Sequence, residues 1–446
     1  MMQFDQQQKE AQLRQLVDDV LREAVRQGAS SAEVAARSDM GLSATVRLGE
    51  PETIEHTRDN SLSISVYFGH HKGTASTAEL SGEAIHEAVS AACAIAKHTA
   101  EDEYAGLADA ALMATEFPDL ELYHPWDLDI QQALGLAVEC ESAARDYDPR
   151  ISNSEGATLN TGEAVGVYGN THGFLHGYPS SHHSLSCSVI AQQGDSMQRD
   201  YWYSTARSSA ALAEAADIGE RAAQRALARL NGRKLKTRQA PVLFRAETAA
   251  GLFNNLVHAI SGSALYRRAS FLLDALDTAI FPQWVNVEEN PYLIQGLSSA
   301  AFDAEGVATK RRDLVADGIL KSYVLGSYSA RKLGLQTTGN AGGVRNLSIA
   351  MGDQDFAALL KTMDTGLVVT ELMGQGVNQI TGDYSRGASG FWVENGEIQY
   401  PVEEITIAGN LKTMFRQLVA VGNDDDYPGS IRTGSWLIES MMIAGE

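Results

Sequence analysis

The chain has 446 residues, 44% hydrophobic and 21% charged, which excludes a disordered or fibrous polypeptide and points to two domains of roughly 200 residues each. Its net charge of −22, with no basic patch to offset it, excludes nucleic acid and anionic membrane surfaces as partners, because such binding rests on Lys and Arg. No run approaches the ~20 apolar residues of a membrane span, and three cysteines without CxxC spacing, Cys93, Cys140 and Cys187, fit a reducing, cytoplasmic setting.

The amino end is a polar amphipathic helix pattern closing at Gly28, with no apolar h-region of a signal peptide. β-like runs are expected over 32–39, 42–50 and 62–69, separated by turn-formers. A helix then begins at the N-cap Ser81, with Ile85, Val89, Ala92 and Ile95 on one face. Another starts at Asp129, where Gln132 gives the spacing of a capping box, and runs to about Tyr147. Residues 163–206 alternate apolar and polar as an antiparallel meander does, and an Ala-rich helix is expected over about 208–230.

The basic stretch 230–241, ending in Pro241, marks a linker, which gives an N-terminal α+β domain over 1–232 with an antiparallel sheet. The remainder, 233–446, reads as a mainly-β domain carrying a few helices, placed at 247–260 and about 409–421. Its strands are expected at "SYVLGSY", "GLVVTELM", "GFWVENG" and "EIQYPVEEITIAG", with "ENGE" as a turn. The fold class is α+β.

Generic cofactor signatures are missing. There is no phosphate loop, and "GQGVNQITG" from Gly374 lacks the third glycine of a dinucleotide fingerprint. Ser329 and Lys332 match S-x-x-K without its companion motifs, a pattern too short to carry an assignment. His172, His176, His182 and His183 cluster, and converging imidazoles could hold a metal, but adjacent residues of a strand face opposite sides and glycines intervene. In "LFNNLVHAI", Leu252, Phe253, Leu256, Val257 and Ile260 fall within an arc of roughly 140° on a helix, a buried stripe, with Asn254, Asn255 and His258 opposite.

The sequence resembles the TldD/PmbA family of metallopeptidases, and most closely its PmbA (TldE) branch. The residues that carry the resemblance are "GNTHGF" (169–174), "SGSALYRRASFLLD" (261–274), "FDAEGVATKRRDLVADGIL" (302–320), "SYSARKLGL" (327–335), "TGNAGG" (338–343) and the long run from Glu371 to Leu411. The resemblance implies a two-domain protein whose second domain, in the TldD branch, has a helix with HExxxH. There two histidines hold zinc and the glutamate acts on the attacking water.

Here Phe253 stands at the first histidine, Asn254 at the glutamate, and only His258 matches, as a remnant; "IRTGSW" (431–436) has no cysteine where the catalytic branch offers a further ligand. The expectation is therefore a chain with no cofactor and no catalytic residues of its own, acting as a subunit beside a TldD-type zinc-bearing homologue, with a homodimer as its alternative state in isolation. The substrate class implied by the resemblance is small or unfolded polypeptides and maturing peptides. The alternative is a peptide-binding or regulatory homologue without a cleaving partner, and a self-sufficient hydrolase using another site is the third reading. Candidate substrate or interface residues are Tyr266 and Arg267 after the helix, Gly342, Gly343 and Asn346 in one Gly-rich loop, and Asp383, Ser385 and Arg386 in another.

Overall fold

A computed structural model describes residues 5–445. Helix α1 (Gln6–Arg26) is capped by Asp5, whose carboxylate accepts from Gln8 N. It closes at Gly28, where φ of +94° lets Ala29 N reach Ala24 O at 3.1 Å. Next come β1 (Ser31–Arg47), β2 (Glu50–Phe68), β3 (His71–Thr77), α2 (Gly82–His98), α3 (Ile130–Asp146), β4 (Ile151–Asn170), β5 (Leu175–Gln193), β6 (Ser196–Ala206) and α4 (Ala215–Ala228). The six strands form one antiparallel sheet in the order β3-β2-β1-β4-β5-β6.

Local signals and tertiary demands part company at several points in this half. The capping box at Asp129 and Gln132 is formed in both directions. The turn expected between the first two runs is absent, and β1 runs straight through Gly41, which lies between Thr57 and Gly162 on its two neighbours. A β-carbon there would sit 3.1 Å from Thr161 O, so glycine serves close approach rather than a turn. On α2 the buried face is Ala88, Val89, Ala92, Cys93 and Ala96, and Ile95 is exposed. The helix turns its small residues inward because it lies on Gly73, where a β-carbon would come within 2.0 Å of Ala92 O. Helix α4 is shorter than expected, since 209–211 form only a single 3₁₀ turn. The three cysteines are buried and free.

The second half contains β7 (Arg238–Phe244), α5 (Ala246–Ala259), α6 (Gly262–Tyr266), β8 (Val287–Glu289), β9 (Arg312–Ala316), β10 (Ile319–Leu320), α7 (Ser327–Lys332), β11 (Leu347–Ile349) and α8 (Phe356–Met363). It continues with β12 (Gly366–Met373), β13 (Asp383–Glu394), β14 (Glu397–Asn410), α9 (Leu411–Arg416), β15 (Leu418–Val421), β16 (Ile431–Arg432) and β17 (Trp436–Ala444). Strands β14-β13-β12-β7-β17 lie side by side and β14 also pairs with β17, so the five close on themselves, with β15 added to β17. A smaller sheet runs β10-β9-β8-β11-β16. The turn between β13 and β14 has Asn395 and Gly396 at φ of 54° and 72°, as its sequence signals.

Two expected elements differ. "SYVLGSY" is not a strand: Val324 makes an isolated bridge to Ser261 and the chain then enters α7. The helix placed at 409–421 stops at Arg416, because Leu418–Val421 pairs with β17 and tertiary pairing overrides helix propensity.

Charged side chains pin the two halves together. Arg225 on α4 reaches Asp200 at 3.0 Å and Glu247 at 2.7 Å, and Arg229 bridges Asp200 to Glu371. Arg331 on α7 donates to the carbonyls of Tyr104, Gly106 and Leu107. Among the described residues no helix is long and apolar enough to cross a membrane.

Candidate functional site

Helix α5 leaves β7 through Arg245, whose N–H donates to Val369 O on β12, and Thr248 Oγ1 donates to the same carbonyl. The helix is thereby fixed in rotation, with Leu252, Phe253, Leu256 and Ile260 fully buried and Val257 half-buried. Asn254 and His258 are exposed. Asn255 lies between them and accepts from Gln379 Nε2 at 2.7 Å, while its own amide donates to Gly251 O.

The Phe253 ring meets Trp436 at 5.9 Å between centroids, tilted by 63°, and Trp436 in turn packs edge-on against Phe281 and Phe415. The helix position where the resemblance places a first zinc ligand and the carboxy-terminal "IRTGSW" segment thus converge, on a buried aromatic cluster. Thr433 Oγ1, a polar atom at this meeting point, accepts from the Trp436 indole at 2.7 Å. Zinc does not fit this donor set: a benzyl ring has no lone pair to give, the Asn254 amide faces outward, and His258 stands at the surface. Among the described residues no three His, Cys, Asp or Glu side chains gather as metal ligands.

Past the helix, Tyr266 packs edge-on against Tyr328, with centroids 5.8 Å apart. Tyr328 donates to Asp102 of the first half at 2.7 Å, so Tyr266 lies by the seam between the halves. Arg267 is exposed and donates to Ser263 O. Ser329 and Lys332 share α7 but not a site: Ser329 Oγ is buried and donates to Gly326 O, while Lys332 turns to Asp102 and the Tyr104 ring.

The loop carrying Gly342 and Gly343, at φ of +88° and +108°, is held from beneath. Buried Glu289 accepts from Asn340 Nδ2, Arg345 N and Arg312. Buried Asp303 accepts from Ala341 N, Glu305 N and Val307 N. Burial, with Glu305 nearby, outweighs those donors and pushes the Asp303 carboxyl up to about 6. Asn346 is buried and spends its amide on Asn290 O, Ser299 Oγ and Ser298 N, so it fixes the loop from inside.

At the start of β13, Asp383 is exposed and accepts from Thr381 and Asn410, which hold its carboxyl below the usual range. Ser385 is exposed, and its N–H donates to Gly376 O, folding the loop 374–382 back over the strand. A β-carbon on Gly376 would lie 1.7 Å from Ser385 O. Half-buried Arg386 donates to Leu372 O, and burial pushes the neighbouring Tyr384 hydroxyl up to about 12 against the pull of the Arg386 charge.

The Asn255–Gln379 bond therefore joins the polar back of α5 to the 374–382 loop, which runs directly into Asp383, Ser385 and Arg386. Tyr266 lies along the α6–α7 contact, and Ala341, next to Gly342 in the chain, lies beside Gly326 at the start of α7. Asn255 was legible only as part of the polar back of the helix, and Gln379, Glu289 and Asp303 escaped sequence reasoning. Only Asp303 carried a signal, the D-x-x-G of a turn whose carboxylate caps the following N–H groups.

The four clustered histidines go separate ways. His172 sits at an exposed turn and contacts Ala108 O. His176 stacks on Phe117, with centroids 3.5 Å apart. His182 contacts Thr205, and buried His183 lies between Thr161 and His124 O on the opposite face of β5.

Three family models match the chain: PmbA/TldA metallopeptidase domain 1 over residues 32–96, the central domain over 123–230 and the C-terminal domain over 237–445. "Metalloprotease PmbA" of Escherichia coli O157:H7 is 52% identical over 415 residues, covering 93% of this chain and 92% of that protein. A "Metalloprotease PmbA homolog" of Haemophilus influenzae is 50% identical over 438 residues, covering 98% and 97%. Among solved structures, a protein of Bacteroides thetaiotaomicron described as a candidate modulator of DNA gyrase superposes with a TM-score of 0.92 at 28% identity, covering 97% of this chain and 99% of that one.

Proposed function

The chain belongs to the PmbA/TldD metallopeptidase family, and from that premise we propose that it is the zinc-free subunit of a two-chain peptidase, its partner being a TldD-type homologue that carries the zinc. The observation behind this reading is the burial of Phe253 against Trp436 at the place where the family's zinc helix would present its first ligand. Asn254 stands where the resemblance places the glutamate, and its neutral amide cannot take a proton from water.

The role left to this chain is to complete the cleft. The α5 back, the 374–382 loop and the exposed side chains of Asp383 and Ser385 offer amides, hydroxyls and a carboxylate to a peptide, and small or unfolded polypeptides are the substrate class that suits them. Free, buried cysteines agree with a cytoplasmic setting.

Metal analysis of the pure chain, with peptidase assays alone and after mixing with an HExxxH-bearing homologue, tests the proposal. Chelator-sensitive cleavage in the mixture only is the expected result. A chain that binds zinc one to one and cleaves unaided overturns it, and a stable complex without cleavage favours a binding or regulatory homologue.

A further inference from the structure

In the first sheet, β2 is paired with β1 along its whole length, from Arg47–Glu50 to Ser31–Tyr67. On its other side β3 covers only Leu62–Phe68. Residues 50–61 are therefore a bare sheet edge, with no strand and no backbone hydrogen bond on the outer side among the described residues. Twelve residues of strand extend roughly 40 Å, along which about every second residue turns its backbone polar groups outward and unpaired.

The faces of this segment are open as well. Every residue from 50 to 59 is exposed, on both sides of the pleat, while the facing part of β1 alternates between buried and half-buried. Ile54, in its middle, is 43% exposed. An isolated edge this long and this uncovered is a template for another strand unless something limits which strand can add.

Charge supplies the limit. Glu50, Glu52, Glu55 and Asp59 lie along the edge, with Arg58 as the only guanidinium. Glu52 is 3.5 Å from Arg47, and Glu50, Glu55 and Asp59 have no cationic partner among the described residues. A second copy laid against this edge would set carboxylates against carboxylates, on a chain already at −22. The edge is thus closed to itself and open to a strand that brings Lys or Arg.

We propose that residues 50–61 form a β-addition surface that receives an extended, basic strand of the partner subunit. This rests on the two-chain reading above and adds to it the place where the chains join. The backbone ladder would supply the contact and the carboxylates its selectivity.

The test mixes the chain with an HExxxH-bearing homologue and follows amide hydrogen exchange. The outward-facing amides of 52–61, which hold no bond to β1, should exchange fast in the free chain and slow by about tenfold or more in the complex, as amides that gain ladder bonds do. The triple variant Glu50→Lys, Glu55→Lys, Asp59→Lys, which changes only exposed side chains, should weaken the complex by roughly tenfold or more while its circular dichroism stays unchanged.

A complex that forms with 52–61 still exchanging freely, or that the triple variant leaves intact, overturns this inference and leaves the two-chain reading standing. Protection of 52–61 in the chain alone, with self-association, also overturns it, since the occupant is then a second copy. If the wild-type chains form no complex, both fall together.

Discussion

Phe253 and Trp436 are both fully buried and meet ring to ring at 5.9 Å, joining the middle of α5 to the first residue of β17. Around them Phe281 and Phe415 stack at 4.8 Å, so the space inside this helix is filled by aromatic carbon. A metal site cannot be restored there by changing signature residues alone, because residue 253 points into that core and residue 258 to solvent.

Replacing Phe253→His together with Asn254→Glu is therefore expected to lower stability by about 2–4 kcal/mol, from lost packing and an unpartnered buried imidazole. It should bring no stoichiometric zinc. Urea unfolding and metal analysis check the two halves of this expectation, and tight one-to-one zinc with unchanged stability would refute it.

The join between the halves depends on Arg225, which is largely buried between Asp200 and Glu247. Arg225→Ala leaves buried Asp200 with only the Tyr201 N–H and the longer contact to Arg229, and a loss of about 3–5 kcal/mol follows from weakening its charge pairing in this way. Arg225→Lys should recover only part, since one ammonium cannot reproduce a fork that spans two carboxylates. Denaturation curves of the two variants against wild type decide it.

Glu289 plays the same part beneath the glycine loop. Glu289→Gln leaves Arg312 without a buried counter-charge and removes one acceptor from the Asn340 and Arg345 bonds, and should cost about 2–4 kcal/mol. The amides of 340–346 should exchange faster than those of β13 in the same variant. Equal protection in both variant and wild type would show that the loop holds itself.

Asp303 sets a pH dependence of unusual sign. Its carboxyl titrates near 6 in the folded chain against an ordinary 3.8, so between those values the folded state binds more protons than the unfolded one. The contribution is complete below about pH 4 and is lost as pH rises to about 6, by up to about 3 kcal/mol. Carboxyls held low, such as Asp148 and Asp383, act in the opposite direction below pH 4. Subtracting the stability profile of Asp303→Asn from that of wild type isolates the term, and a difference that stays flat from pH 4 to 6 would exclude it.

What the sequence determined by itself is local. The repeat of Leu252, Phe253, Leu256 and Ile260 orients α5, Asp129 with Gln132 caps α3, Asn395-Gly396 turns the last long hairpin, and no HExxxH stands anywhere in the sequence. Each depends on residues within one or two turns of each other, where periodicity and capping act. The tertiary structure alone decided what lies across from them: Trp436 against Phe253, Gln379 on Asn255, Gly73 under Ala92, and a β15 pairing that cut a helix short. Those contacts join segments far apart in the chain, and which segment wins a face is settled by the packing of the whole core, which no short-range pattern encodes.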